Sequence, residues 1–326
     1  ALRAALQQRA DLYHFHDAEL IPVGLLLRLL GKRVVYDVHE CVPEHVFCKA
    51  YIPRYLRPLV SCAVGAGEMM AARFFQGIVA ATPYVGRRFP RHKTAVVQNF
   101  PVLKAAAAAE QRPYRNRPPR VVYAGGIGRL RGICELVGAM SLLPETLQAR
   151  LCLIGEIRPA ALETQLRGTL GWKRVDFLGR RDHQEVFPRL CEARVGIVTI
   201  LPEQNYLRSQ PTKLFEYMAA GLPVVASDFP YWREIVEGAG CGLLVDPRAP
   251  QAIAEAIEWL LTHPEEAEHM GQRGQAAVAD RFNWEKEIPK LLELYDRLLH
   301  GTNQRGRGTA PVRQGRDPQR SASRAA

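Results

Sequence analysis

After residue 119 the chain settles into one rhythm. Short apolar runs, "RVVYAGG" (120–126), "RLCLIG" (150–155), "VDFLG" (175–179), "RVGIVTI" (194–200), "PVVAS" (223–227) and "GLLVD" (242–246), recur with helical stretches between nearly all of them, among these "GICELVGAMSLL" (132–143), "QEVFPRLCEA" (184–193) and "PTKLFEYMAA" (211–220). Strands that alternate with helices in this way pair in parallel, because each crossover helix returns the chain to the same end of the sheet. The fold class is therefore α/β, and six such strands make one complete nucleotide-binding-type domain.

The earlier part of the chain follows the same logic with fewer elements. "RVVYDVH" (33–39), "GIVAAT" (77–82) and "TAVVQN" (94–99) read as buried strands, and 55–75 reads as a helix. Three strands are too few for a comparable open sheet, so residues 1–103 are expected to form an incomplete first domain. "KAAAAAEQRPYRNRPP" (104–119) reads as a linker and 120–282 as the complete domain, followed by a final helix, 283–300. At 326 residues and 47% hydrophobic, the chain can fill two cores. It opens without methionine or a signal-peptide pattern and is read as an N-terminally truncated piece.

Several function classes are disfavoured on composition and spacing. The net charge of +11 suggests nucleic acid, yet residues 301–326 carry six arginines and one aspartate and so supply +5 of it. That tail has no aromatic platform for bases and is expected to be disordered, with at most weak attraction to an anionic surface. Seven scattered cysteines with no C-x-x-C pair point to a reducing, cytoplasmic setting. No apolar run is long enough to span a bilayer. "HECVPEH" (39–45) starts like a zinc-protease helix, but its second histidine comes six residues on and Pro43 interrupts it. "GGIGRLRG" (125–132) places Arg131 where a dinucleotide fingerprint requires glycine.

A phosphate-handling pattern survives. The glycines of "YAGGIGRLRGI" allow backbone N–H groups to approach an anion, with Arg129 and Arg131 close by. In "SQPTKLFEYMAAGLPVVASDFP" (209–230), Pro211 suits a first helical turn with Gln210 or Ser209 as its cap, and Thr212 and Lys213 then lie at the anion-binding end. Glu216 follows Lys213 by three residues, so the two share a helix face. A lysine on phosphates and a carboxylate on ribose hydroxyls fit a nucleoside diphosphate; the alternative is a surface ion pair worth only about 0.2–0.5 kcal/mol.

These segments, in order, resemble the C-terminal half of the retaining family 4 glycosyltransferases, whose GT-B fold sets two Rossmann-like domains across a cleft. "ADLYHFHD" and "RVVYDVHE" resemble the later part of that family's acceptor-side domain. The resemblance implies that Arg131 and Lys213 neutralise the donor diphosphate, that Glu216 holds the ribose, and that Gly126, Leu214 and the main chain near Thr212 line the phosphate pocket. It implies that Arg180 lies by the base and that His39 reaches the transferred sugar, giving Arg131, Lys213 and His39 as the catalytic set. It also implies a nucleotide-diphosphate-sugar as co-substrate, no metal or other cofactor, and a glycan or lipid-linked acceptor. Two departures stand out: Arg208 occupies the place of the first glutamate of the family's E-x7-E pair, and Gly126 the place of an arginine.

The activity expected is retaining sugar transfer to an acceptor hydroxyl. The alternative is a catalytically degenerate nucleotide-binding relative, motivated by Arg208 and the short first domain; an epimerase or phosphorylase on the same fold ranks below both. His14 and His16 alternate with strand period and are expected to serve structure. "YIPRYLRPLV" (51–60) is read as a helix packed on its own sheet, with peripheral contact to a membrane as the alternative.

Overall fold

A computed structural model describes residues 1–49, 51–103 and 112–301. Residues 104–111 of the expected linker and the basic tail beyond 301 lie outside the described residues. Two parallel sheets organise the rest. The first has four strands in sequential order: β1 (Leu12–His16), β2 (Arg33–Val38), β3 (Gly77–Ala80) and β4 (Thr94–Val96). The expectation of three strands is thus corrected to four. The added strand is β1, whose "LYHFH" alternates apolar and polar residues at strand period but lacks the continuous apolar run by which the other three were counted.

The second sheet contains β5 (Arg120–Ala124), β6 (Arg150–Ile154), β7 (Val175–Gly179), β8 (Val195–Val198), β9 (Val224–Ser227) and β10 (Gly242–Val245), ordered β10-β9-β8-β5-β6-β7. Read from β7, this is the doubly wound order 3-2-1-4-5-6, with its reversal between β5 and β8. β8 is buried along its whole length, and β5 from its second residue, as a strand covered on both faces must be. The crevice at the carboxyl ends of β5 and β8 is where such sheets bind ligands.

The helix Trp284–His300 returns to the first sheet. Its Leu294 is buried with Val35, Val79 and Val97, and Leu291, Tyr295 and Leu298 pack beside them. Asn283 caps this helix by accepting from the Lys286 N–H at 3.0 Å. Buried Glu287 accepts the Gln98 N–H at 2.9 Å, which fastens the helix to the end of the first domain. The helix Arg57–Phe74 packs through Ala71 and Ala72, whereas Tyr51, Tyr55 and Leu59 near its start are exposed. Among the described residues, no helix is long and apolar enough to cross a membrane.

Candidate active site between the two domains

Glycine geometry shapes the second domain's wall of the cleft. Gly132 has φ +69° and lies so close to Thr199 that a Cβ would stand 1.8 Å from the Thr199 carbonyl oxygen. Only glycine lets the turn after β5 pack on the end of β8. Gly125 has φ +119°, and Gly126 is exposed with open space where a side chain would stand. The Tyr123 hydroxyl donates to the Gly126 carbonyl at 2.8 Å and braces this turn from below.

The helix Thr212–Ala219 supplies the facing charge. Leu214, Phe215, Tyr217 and Met218 are fully buried in the core, which directs Lys213 and Glu216 together to another face. Lys213 is half-buried as a residue, but its Nζ is buried and has no hydrogen-bond partner. That Nζ lies 3.6 Å from the centroid of the Tyr123 ring, and a Cβ on Gly125 would stand 3.2 Å from it. Burial, reinforced by the nearby Arg131 and only partly opposed by the Glu216 carboxylate, pushes the lysine pKa down to about 7. A cation buried here without a hydrogen-bond partner is costly, and a phosphate oxygen would relieve it.

Neither Ser209 nor Gln210 caps this helix. Pro211 is its N-cap without a side-chain bond, while Ser209 Oγ donates to the Tyr206 carbonyl and Gln210 Oε1 accepts from Tyr231. Exposed Thr212 therefore opens a helix end whose first N–H groups have no side-chain cap. The reading of Leu214 as a lining residue needs correction. Its side chain belongs to the core and its N–H donates to the Pro211 carbonyl at 3.1 Å. Arg180 is exposed just beyond β7 and near Glu156, whose carboxyl is held below its ordinary value chiefly by its hydrogen bond with Arg158 and least by Arg180.

A cavity of about 250 Å³ lies between the domains, with His39, Glu44 and Tyr84 on one side and Arg131, Tyr206 and Arg208 on the other. Arg131 stacks its guanidinium 4.8 Å from the Tyr206 ring centroid. Lys213 is not among the lining residues, so of the two cations Arg131 faces this cavity and Lys213 stands behind the Gly125 turn. Arg208 crosses the cleft: its guanidinium lies 4.4 Å from the Tyr84 ring centroid, donates to the Tyr84 hydroxyl, and reaches Glu44 at 3.5 Å. The Tyr84 hydroxyl in turn donates to Glu44. Sequence reading missed Tyr84 and Glu44, whose link to Arg208 depends on domain closure rather than on spacing. Nearby, His45 pairs with Glu40 at 2.5 Å, which pushes the imidazole pKa up and holds the carboxyl below its ordinary value.

Known proteins resemble the chain in sequence and fold. Residues 118–263 match the family model described as glycosyl transferases group 1. A D-inositol 3-phosphate glycosyltransferase of Segniliparus rotundus is 28% identical over 94% of this chain and 69% of its own length. An MMP alpha-(1->4)-mannosyltransferase of Mycolicibacterium hassiacum is 23% identical over 92% and 74%. Among solved structures, sucrose-phosphate synthase from Thermosynechococcus elongatus superposes with a TM-score of 0.72 at 25% identity, covering 93% of this chain and 77% of that one. Anabaena Alr3699/HepE, solved in complex with UDP, gives 0.69 at 20% identity, covering 90% and 81%. Residues 118–263 are thus similar to a glycosyl transferases group 1 domain, and the two parallel sheets across a cleft have the GT-B arrangement of these solved structures.

Proposed function

We propose that the protein transfers a hexose from a nucleotide-diphosphate-sugar to an acceptor hydroxyl with retention of anomeric configuration, in glycan or polysaccharide synthesis. The observation that carries this reading is the buried Lys213 Nζ, which lacks a hydrogen-bond partner and abuts an open glycine turn beside Arg131. As the glycosidic bond breaks, the leaving diphosphate gathers negative charge, so fixed cations and an uncapped helix end stabilise the transition state more than the ground state. In this scheme Arg131 and Lys213 meet the diphosphate, Gly126 leaves room for it, and Thr212 offers the helix end. Glu216 holds the ribose, Arg180 stands by the base, and His39 contacts the sugar from the opposite wall. The resemblance calls for no metal at the diphosphate. Exposed Tyr51, Tyr55 and Leu59 beside Arg54 and Arg57 support a lipid-linked acceptor at a membrane surface.

The test is a panel of UDP-, GDP- and ADP-sugars, read first by thermal shift and then by transfer, with the anomeric configuration of the product assigned by NMR. Each charge-assisted hydrogen bond is worth about 1.5–3 kcal/mol, so Lys213→Ala and Arg131→Ala should each cost about tenfold or more in turnover. Unchanged turnover and donor affinity in both variants would remove the diphosphate assignment.

A second reading has its own observation. Arg208 is engaged with Tyr84 and Glu44 across the cavity, where the resemblance calls for a carboxylate directed at the sugar. A relative that binds nucleotide without transferring sugar fits that arrangement. Stabilisation by a nucleotide with no sugar released from any donor would select it.

A further inference from the structure

Three imidazoles converge on one carboxylate at the carboxyl ends of β1 and β2. His14 and His16 are two apart on β1 and so share a face, and the parallel register sets His16 directly beside Asp37 of β2. Asp37 Oδ2 lies 3.2 Å from His14 Nε2, 3.0 Å from His16 Nδ1 and 3.6 Å from His39 Nε2. His16 Nδ1 is also 3.0 Å from His39 Nε2. We propose that His14, His16 and Asp37 form a binding site for a divalent transition-metal ion of the zinc class, with His39 beside its remaining coordination position.

Four features point to an ion rather than to a hydrogen-bonded cluster. First, one ligand atom from each of His14, His16 and Asp37 lies within 4.8 Å of the others. Zinc at ordinary bond lengths needs its tetrahedral ligand atoms only about 3.3 Å from one another, close to the separations found here. Second, His14 Nε2 is buried without a hydrogen-bond partner although it is 3.2 Å from the carboxylate oxygen. It is close enough to share an ion with that oxygen and poorly aligned to share a proton.

Third, the other nitrogen of the same ring, His14 Nδ1, meets the Tyr295 hydroxyl at 2.5 Å. A ligating histidine is characteristically held through its second nitrogen in this manner, and Tyr295 comes from the helix that closes over the first sheet. Fourth, the His14 and His16 rings stack with centroids 5.0 Å apart at 19°. Rings stacked in this way turn one nitrogen each toward the same point, beside Asp37 Oδ2. The side chains of His14 and Asp37 are 15% and 10% exposed and that of His16 is 58%, so the site is walled on one side and open to an entering ion on the other. The inference does not rest on the donor assignment, since among these residues only His39 lines the interdomain cavity.

The experiment uses the untagged chain stripped of metal and titrated with Zn2+ against a chromophoric chelator, followed by the visible spectrum of the Co2+ form. The expected result is one Zn2+ per chain with tetrahedral Co2+ bands. His16→Ala, at an exposed position that folding tolerates, should weaken Zn2+ by about tenfold or more. Tyr295→Phe should weaken it by about 10–100-fold if it acts through His14. His263→Ala, which removes a histidine stacked on Trp259 elsewhere, should leave affinity unchanged. Absence of bound Zn2+ at tens of micromolar free ion, or stoichiometric binding indifferent to His16→Ala, would overturn the proposal.

Discussion

The two walls of the cleft are built on opposite electrostatic plans. On the second domain's wall a buried ammonium has no hydrogen-bond partner and a helix end has no side-chain cap. On the first domain's wall the polar groups pair with one another: His45 with Glu40, Tyr84 with Glu44, and Glu44 with Arg208 from across the gap. An unsatisfied cation lowers stability in the free protein and recovers that loss when an anion arrives. Satisfied pairs instead hold a surface in one shape. Under the proposed function, the difference would give ligand charge to one wall and positioning to the other.

The sharpest way to break this contrast is Lys213→Met, which keeps apolar volume and removes the charge. Affinity for the nucleoside diphosphate that the donor panel selects should fall about tenfold or more, while the free protein becomes more stable, on the order of a few kcal/mol, because a buried charge without a hydrogen-bond partner is gone. The sign with pH is fixed by the depressed pKa. Below about 7 the lysine is charged in both the folded and unfolded states, so the full burial cost is present; it shrinks as pH rises from there toward 10.5. The stabilising effect of Lys213→Met should therefore be largest under mildly acidic conditions, as read by denaturant midpoints at several pH values. A variant that lost stability as well as affinity would mean that the free protein already satisfies this ammonium.

The same depressed pKa predicts proton uptake on binding. At pH 8 the free lysine is mostly neutral, and a diphosphate drawn against it favours the charged form, so binding of the proposed nucleoside diphosphate should take up close to one proton. Calorimetry in buffers of differing ionisation enthalpy reads this directly. The uptake should vanish in Lys213→Met and fade below about pH 6.

Much of the second wall was legible in the sequence, because its elements are local. Each of β5 to β10 is a short apolar run next to glycine, proline or charge, and Lys213 and Glu216 lie one helical turn apart. Leu214 was misassigned for a local reason as well: one step around a helix turns a site position into a core position. The first wall is long-range. Arg208 and Tyr84 meet across 124 residues of chain, and no periodicity reports that. β1 was legible too, since Tyr13 and Phe15 alternate with His14 and His16 at strand period, but five residues without a long apolar run were left out of the strand count.

The Glu40–His45 pair gives a smaller effect. The raised pKa of His45 means that its contribution to stability is fully present below the unfolded imidazole value and is lost as pH rises through the folded one. The lowered pKa of Glu40 means that its contribution is present above the unfolded carboxyl value and is lost as pH falls through the folded one. Both act together in the window between the ordinary carboxyl and imidazole values, 4.5 and 6.5. His45→Ala should flatten the stability profile there and leave it unchanged near pH 9. The pair is partly exposed, so the change should stay below about 1 kcal/mol.

Arg208→Ala should be smallest in stability, within about 0.5 kcal/mol, because the Arg208 side chain is 57% exposed and exposed ion pairs contribute little. Its signature lies in Tyr84. Burial raises that phenol's pKa, the Glu44 hydrogen bond and charge raise it further, and the Arg208 charge pulls it back. Removing the arginine should therefore move Tyr84 ionisation upward in an ultraviolet titration, whereas Glu44→Gln should move it downward. A titration indifferent to both variants would mean that the cross-cleft contact does not persist in solution, and the first wall would then lose the link that ties it to the second.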